Sequence, residues 1–454
     1  MKKIRIGIII DNPKRDLEHM TLVSCKLAKK GFMVFMIPMY KQRYFISRYR
    51  LDLILLNYLR LNNINSFIDY INLGTSVAVL DTEGTAGKDE FEFIKFISGT
   101  RYTNLIDLYL FWGSKQLEIA RKYLKIDNRR LISTGSPKID ILIKPWVETL
   151  KKTQINPGFI LINTNFPLVN PKFSFKKKDE LKNLIKVGFD VETAQSIISD
   201  NLKSFQGMIS FIKFISIKVS KEFFVVRPHP FENPDIYRSL FNNFKNIKIV
   251  HEGAANYWIK NSKCLLHVNC STAIESVILG KKAFSLEWLN SKYTFRPLPT
   301  EVSHKIFNQN EIFEILSKNL YKSTSKLNQD ISNFICNSFG YLDGKNSQRV
   351  ADAIDNFIKS NFYKNKQKKI KISLLKKIKR NLNNMMEYNY LWKIKNIIKN
   401  YKSDKQFDKK EVDKIINRFS IVEASFKTIE SQNFHRSKYD HYPSSDIVAV
   451  IIND

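Results

Sequence analysis

The chain has 454 residues, which at roughly 100–200 residues per domain points to two domains and an appendage. A hydrophobic fraction of 43% is that of a folded protein with a sizeable core and excludes a disordered chain. Lys and Arg (74) outnumber Asp and Glu (43), and the resulting charge of +31 favours anionic partners: nucleic acid, anionic lipid, or phosphorylated and acidic small molecules.

The N-terminus begins Met1-Lys2-Lys3, but the apolar run over residues 4–10 is broken by Arg5 and Gly7 and stopped by Asp11-Asn12-Pro13. It reads as a first β-strand, not as the core of a signal peptide. No apolar stretch reaches the ~18 residues a membrane-spanning helix needs. Residues 16–30 read as an amphipathic helix. Residues 32–38, 51–56, 76–80, 108–112 and 131–134 read as further strands, apolar on both faces. Strands of that kind alternating with helices imply a parallel, doubly wound sheet. The polar segment 144–157, with Pro145 and Pro157, reads as a linker. A second series follows, with strands at 159–163, 223–226, 247–250, 264–268 and 282–286 and helices at 191–220 and 271–279. The expected fold is α/β: two Rossmann-like domains, 1–148 and 155–358, facing a cleft, then a basic helical extension over 359–454.

That extension changes character from Lys359 onward. Residues 359–400 hold thirteen Lys or Arg and one acid, Glu387, with Ile370, Ile372, Leu374, Leu375, Ile378, Leu382, Met385 and Met386 recurring among them. A basic amphipathic helix of this kind can lie on an anionic leaflet, or pack its apolar stripe on the body of the protein. No motif is legible beyond Ser420. The four cysteines, Cys25, Cys264, Cys270 and Cys336, form no CxxC pair and read as reduced thiols of a cytoplasmic protein.

Chemistry-bearing motifs stand where strands end, which is where ligands bind in such sheets. Asp81-Thr82-Glu83-Gly84 follows the strand at 76–80 and offers carboxylates to take a proton from an acceptor hydroxyl or act as nucleophile. With no nearby His or third acid, the pair is not read as a metal site. Arg227-Pro228-His229-Pro230 follows the strand at 223–226. The prolines fix the backbone around His229, and both Arg227 and His229 can donate to phosphate oxygens. Asn269-Cys270-Ser271-Thr272-Ala273-Ile274-Glu275 follows the strand at 264–268. Ser271 and Thr272 fall at a helix start, where N–H groups favour an anion, and Glu275 lies one turn on, within reach of a ribose or base. The alternative for this motif is an ordinary capping box. Asn163 and Asn165, in Asn163-Thr164-Asn165-Phe166, present amides at the same end. Gly135, in Thr134-Gly135-Ser136-Pro137, makes a turn before Asp140, and Glu252, in His251-Glu252-Gly253, follows another strand to flank a base or sugar. His19, His267, His304, His435 and His441 show no partner pattern and read as structural or surface residues.

In this order, and with Asp343-Gly344-Lys345-Asn346-Ser347 before a late helix, these motifs resemble the bacterial surface carbohydrate biosynthesis protein family over about residues 1–360. That family is similar in turn to sialyltransferases, polysialyltransferases and capsule Kdo transferases of the GT-B-like type, which use CMP-activated 2-keto sugar acids. The resemblance implies a glycosyltransferase with a CMP-sugar donor, no other cofactor and no metal, acting on a glycan or lipid-linked glycan acceptor. Glu83 would be the acceptor-activating base. Arg227 and His229 would hold the CMP phosphate, with Ser271 and Thr272 supporting the same nucleotide. Thr82 stands where an acid is common in that family, so Asp81 and Glu83 both stay candidates for the base. For a retaining reaction one acid, Asp140 included, would be the nucleophile. A cytoplasmic protein, peripheral at the inner membrane face through residues 359–400, is expected. A nucleotide-sugar 2-epimerase and a glycerol- or ribitol-phosphate transferase share this plan. A non-catalytic or nucleic-acid-binding basic protein is the reading from another class, although no RNA-binding module is visible.

Overall fold

The computed structural model describes residues 3–42, 45–46, 49–60, 63–82, 90–97, 101–150, 155–172, 177–186, 189–293, 295–322, 327–360, 370, 406–433 and 447–452. The chain divides into two compact units, Met1–Thr149 with Asn333–Asp454, and Leu150–Ser332.

Among the described residues the first unit carries an eight-stranded sheet. Its parallel part is built from β1 (Arg5–Ile10), β2 (Met33–Pro38), β3 (Leu53–Leu56), β4 (Ser76–Leu80), β5 (Leu108–Phe111) and β6 (Leu131–Ser133), in the order β2-β1-β3-β4-β5-β6. These strands are short and almost wholly buried because helices cover both faces. Gly7 lets β1 lie close to its neighbour, since a Cβ there would sit 2.6 Å from the Ile54 and Leu51 side chains. The turn after β1 becomes a helix, Pro13–Lys29, because Asn12 caps the Lys14 N–H and Pro13 supplies a preset first residue.

The second unit holds a six-stranded, all-parallel sheet of β7 (Phe159–Asn163), β8 (Phe224–Arg227), β9 (Ile247–Ile249), β10 (Ser262–His267), β11 (Ala283–Leu286) and β12 (His304–Ile306), in the order β12-β11-β10-β7-β8-β9. The long helix Val191–Lys218 buries Met208, Phe211, Ile212 and Ile215 against it. The order reverses direction between β7 and β10, so the carboxyl ends of these two strands form the topological switch point.

The C-terminal quarter departs from expectation. Residues 333–358, read as part of the second domain, belong to the first. The helix Asn346–Lys359 packs on Pro13–Lys29, and Lys30 bridges to Asp352 at 2.8 Å and to Asp355 at 3.2 Å. Asp140 anchors its start: one carboxylate oxygen accepts from the Asn346 N–H and side-chain amide, each at 2.9 Å, the other from the Ser347 N–H at 2.6 Å.

Nor is the region after residue 359 an all-helical extension. The helix Lys409–Val422, capped reciprocally by Asp408 and Glu411, leads to β13 (Ile429–Asn433). That strand pairs antiparallel with β14 (Val448–Ile452), and β14 pairs antiparallel with β2, so two strands extend the sheet at its β2 edge. Phe419 and Phe426 pack on the ring of Trp146, and Arg418 bonds Glu18 at 2.7 Å. Of the basic stretch, residues 361–369 and 371–405 lie outside the described residues. Ile370 packs on the first unit's core, and its N–H donates to the Asn72 side chain at 2.8 Å. Among the described residues no helix is long and apolar enough to cross a membrane.

Candidate functional site

Each unit gathers polar side chains at the carboxyl ends of its central strands. In the second unit, the last residues of β8, β7 and β10 stand in register: Arg227 beside Asn163, and Asn163 beside His267. Asn163 is 2% exposed and its amide donates to Thr272 Oγ1 at 2.8 Å, while its Oδ1 has no hydrogen-bond partner among the described residues. Arg227, 5% exposed, donates through Nη2 to the Gly253 carbonyl at 2.7 Å, and its Nε has no hydrogen-bond partner among the described residues. Burial lowers its pKa, and the Glu275 carboxylate opposes that shift. Buried polar atoms left unbonded are unfavourable by about 1–3 kcal/mol each, and two such atoms stand beside the switch point.

The loop after β10 is held open in an unusual shape. Asn269 adopts φ +48°, its carbonyl accepts from the Asn165 amide at 3.0 Å, and its Oδ1 accepts from the Arg296 N–H at 3.0 Å. His267 organises the base of the loop. Nδ1 accepts from the Cys270 N–H at 3.4 Å, and Nε2 lies 2.9 Å from Ser303 Oγ, whose own proton goes to the Pro299 carbonyl. His267 is therefore a structural histidine, as the sequence suggested. The helix Thr272–Ile278 has only seven residues, and Ser271 at its N-cap makes no side-chain capping bond, so the capping box is not formed. The Thr272 hydroxyl is instead shared between Asn163 and Cys270.

The Pro-His-Pro loop after β8 is caged by a residue that sequence reasoning missed. Glu232 is fully buried and accepts from the His229 N–H at 3.0 Å, the Thr164 hydroxyl at 2.8 Å and the Tyr237 hydroxyl at 2.5 Å. Burial pushes its carboxyl pKa up, against the pull of these donors. The one available signal was its position three residues after His229, the reach of a side chain folding back on a turn. Glu252 is exposed in the loop after β9, where its carbonyl accepts from Trp258 Nε1 at 3.0 Å.

In the first unit, Asp81 leaves β4 as a buried carboxylate paired with Arg60 at 3.2 Å, and Arg60 lies over the Tyr58 ring at 4.6 Å. Thr82 donates its N–H to the Asn57 carbonyl at 2.9 Å and its Oγ1 accepts from Arg15, which also binds Asp11 and Asp16. Asn57, after β3, is 3% exposed, and neither its Oδ1 nor its Nδ2 has a hydrogen-bond partner among the described residues. Glu83 and Gly84 lie outside the described residues.

Two sequence assignments are corrected here. Asp140, a candidate nucleophile, is buried and spends both oxygens on the Asn346–Lys359 helix. Gly135, read as donor-binding, sits at φ +79° against that same return of the chain: a Cβ there would lie 1.9 Å from Asn346 Oδ1. Both residues knit the first unit together.

Two buried histidines make a pH prediction. Burial lowers the pKa of His19 to about 4 and of His267 to about 3, from an ordinary 6.5. Each therefore stays neutral in the fold while its unfolded counterpart gains a proton below pH ~6.5. The stability each contributes is present above that pH and lost as pH falls toward its folded value. Glu232 and Asp140, raised by burial, act in the opposite sense, so the effect is read as a difference. Between pH 6.5 and 5 the wild type should lose about 2 kcal/mol more than His267→Asn in urea unfolding of the second unit. Parallel curves would refute the assignment.

Neither a family model nor a curated protein sequence matches the chain. Solved structures do. The UDP-GlcNAc 2-epimerase of Methanocaldococcus jannaschii, in complex with UDP-GlcNAc and UDP, is 12% identical with a TM-score of 0.52, covering 78% of this chain and 100% of its own. The Neisseria meningitidis UDP-GlcNAc 2-epimerase bound to UDP-GlcNAc is 13% identical, with a TM-score of 0.51 over 78% of this chain and 100% of that one. S. aureus MnaA bound to UDP is 13% identical, with a TM-score of 0.52 over 82% and 100%. At such identities the likeness is one of fold, and the fold is the GT-B-like one of two Rossmann-like domains.

Proposed function

We propose that this chain is a glycosyltransferase of bacterial surface polysaccharide synthesis, transferring a Kdo- or sialic-acid-like 2-keto sugar acid from a CMP-activated donor. The observation that carries the nucleotide site is the row of strand-end side chains in the second unit, where Asn163 Oδ1 and Arg227 Nε are buried without hydrogen-bond partners among the described residues. His229 stands on the adjoining loop that Glu232 holds, and in this reading its ring donates to the phosphate. Negative charge grows on the departing nucleoside monophosphate, and preorganised donors stabilise it without reorganising. The base taking the acceptor proton is Glu83 or Asp81. The choice of CMP and of a 2-keto acid rests on the motif resemblance.

A second reading, a nucleotide-sugar 2-epimerase, is favoured by the fold neighbours, which are named as UDP-GlcNAc 2-epimerases and were solved with UDP or UDP-GlcNAc. Calorimetric titration of CMP and UMP at fixed salt separates the two. Selective CMP binding, weakened at least tenfold by His229→Ala, supports the transferase. UMP preference, followed by an epimer formed without any acceptor, supports the second reading and sinks the first. We also propose a cytoplasmic enzyme held at the inner membrane face by residues 359–400. Binding to anionic but not neutral vesicles, weakened by salt, tests that attachment.

A further inference from the structure

We propose that Glu232 is the positioning residue that fixes His229, its backbone and its ring tautomer, and locks the loop after β7 to the loop after β8. The geometry lies within the second unit. Glu232 Oε1 takes the His229 N–H at 3.0 Å, and the Glu232 N–H returns to the His229 carbonyl at 2.8 Å. That carbonyl also lies 3.1 Å from His251 Nε2 and, being only an acceptor, makes that nitrogen the protonated one. Both peptide groups of residue 229 are thus held.

The ring follows. The Phe231 N–H points at His229 Nδ1 at 3.2 Å, so Nδ1 keeps its lone pair and the proton resides on Nε2. The Phe231 carbonyl in turn accepts from the Lys172 N–H at 2.9 Å, and the Asn233 N–H donates to the Asn170 carbonyl at 3.0 Å. The same carboxylate reaches the other loop. Oε1 also accepts from Thr164, the residue after Asn163, and the Thr164 N–H donates to the Arg227 carbonyl at 3.2 Å. Tyr237 closes Oε2 at 2.5 Å. A fully buried carboxylate bonded from three segments has no solvent role; its work is to hold two ligand-facing loops in one arrangement. An Nε2–H held in place is a donor for an anionic oxygen, whereas the other tautomer would present an acceptor and repel one.

The functional half of this inference rests on the nucleotide-site reading; the tautomer half does not. The test uses full-length protein labelled with nitrogen-15 at histidine, alongside CMP titration. Wild-type His229 should show an unprotonated Nδ1 and a protonated Nε2. Glu232→Gln keeps an acceptor oxygen for His229 and Thr164, and should keep both the signals and CMP affinity. Glu232→Ala should mix the tautomers and weaken CMP about tenfold or more. That loss should not multiply with the loss from His229→Ala, because both act through one ring. If Glu232→Ala does not fold, Thr164→Val removes one donor from the cage and should give a smaller loss with the same non-additivity. Wild-type tautomer signals in Glu232→Ala or Thr164→Val, or losses that multiply with His229→Ala, overturn the proposal. Absence of CMP binding in the wild type removes the nucleotide reading, and the nitrogen signals then decide the role of Glu232 alone.

Discussion

Deleting residues 406–454 is expected to destroy the fold of the first unit, giving insoluble protein or a chain without a cooperative melting transition. These residues look like a tail in the sequence, but their apolar side chains are core. Phe407, Val412, Ile416, Phe419, Phe426, Val448 and Val450 are all buried. Each such side chain contributes about 1.5–3 kcal/mol through burial, so together they amount to on the order of 10 kcal/mol. That is the size of a whole domain's net stability, ~5–15 kcal/mol. Removing β14 would also strip β2 of its outer neighbour and leave an apolar edge able to pair with other chains. The basic stretch before it should behave oppositely. Replacing the Lys and Arg residues of 371–399 with Gln should leave the melting temperature within a few degrees while removing the proposed attachment to anionic vesicles. Expression, melting and vesicle sedimentation of the two variants check both halves. A soluble, cooperatively melting deletion would show that the C-terminal strands are not part of the core.

The parallel strands were legible because a strand buried on both faces announces itself as a short apolar run between turn residues. Ile160, Leu161 and Ile162 need no partner information to be read as such. The strand-end motifs were legible for the same reason: once the strands are placed, Asn163, Arg227 and the 269–272 loop fall at the switch point. What stayed hidden depends on contacts far apart in sequence. Nothing near Asp140 says that the N–H groups donating to its carboxylate lie 206 residues on, at Asn346. Gly135 has the look of a ligand-approach glycine, yet the close approach is to the protein's own Asn346. The run at 429–433, Ile-Glu-Ser-Gln-Asn, is an edge strand with polar residues along it and carries little hydrophobic pattern. Glu232 was overlooked because burying a carboxylate is unfavourable unless its partners are present, and those partners come from Thr164 and Tyr237 as well as from its own loop.

On the proposed mechanism, the two acids after β4 should separate cleanly when each is neutralised. Glu83→Gln should lower transfer turnover by about 10²–10⁴-fold, the usual range for losing a general base. CMP affinity should stay unchanged, because the nucleotide contacts are proposed for the second unit. Asp81→Asn should fail in a different way. Its carboxylate is buried and bonded to Arg60, a guanidinium that also covers the Tyr58 ring. A carboxylate already holding a neighbouring cation makes a poor proton acceptor, since taking the proton would break the pair. Neutralising it leaves Arg60 partly buried beside an amide, a loss of about 1–3 kcal/mol in stability of the first unit. Turnover should then fall only as far as the β4 loop is disturbed. Steady-state kinetics, CMP titration and urea unfolding on both variants give the comparison. If Asp81→Asn abolishes turnover with an unaltered unfolding curve while Glu83→Gln is fully active, the base is Asp81, and Arg60 must release it when the acceptor binds.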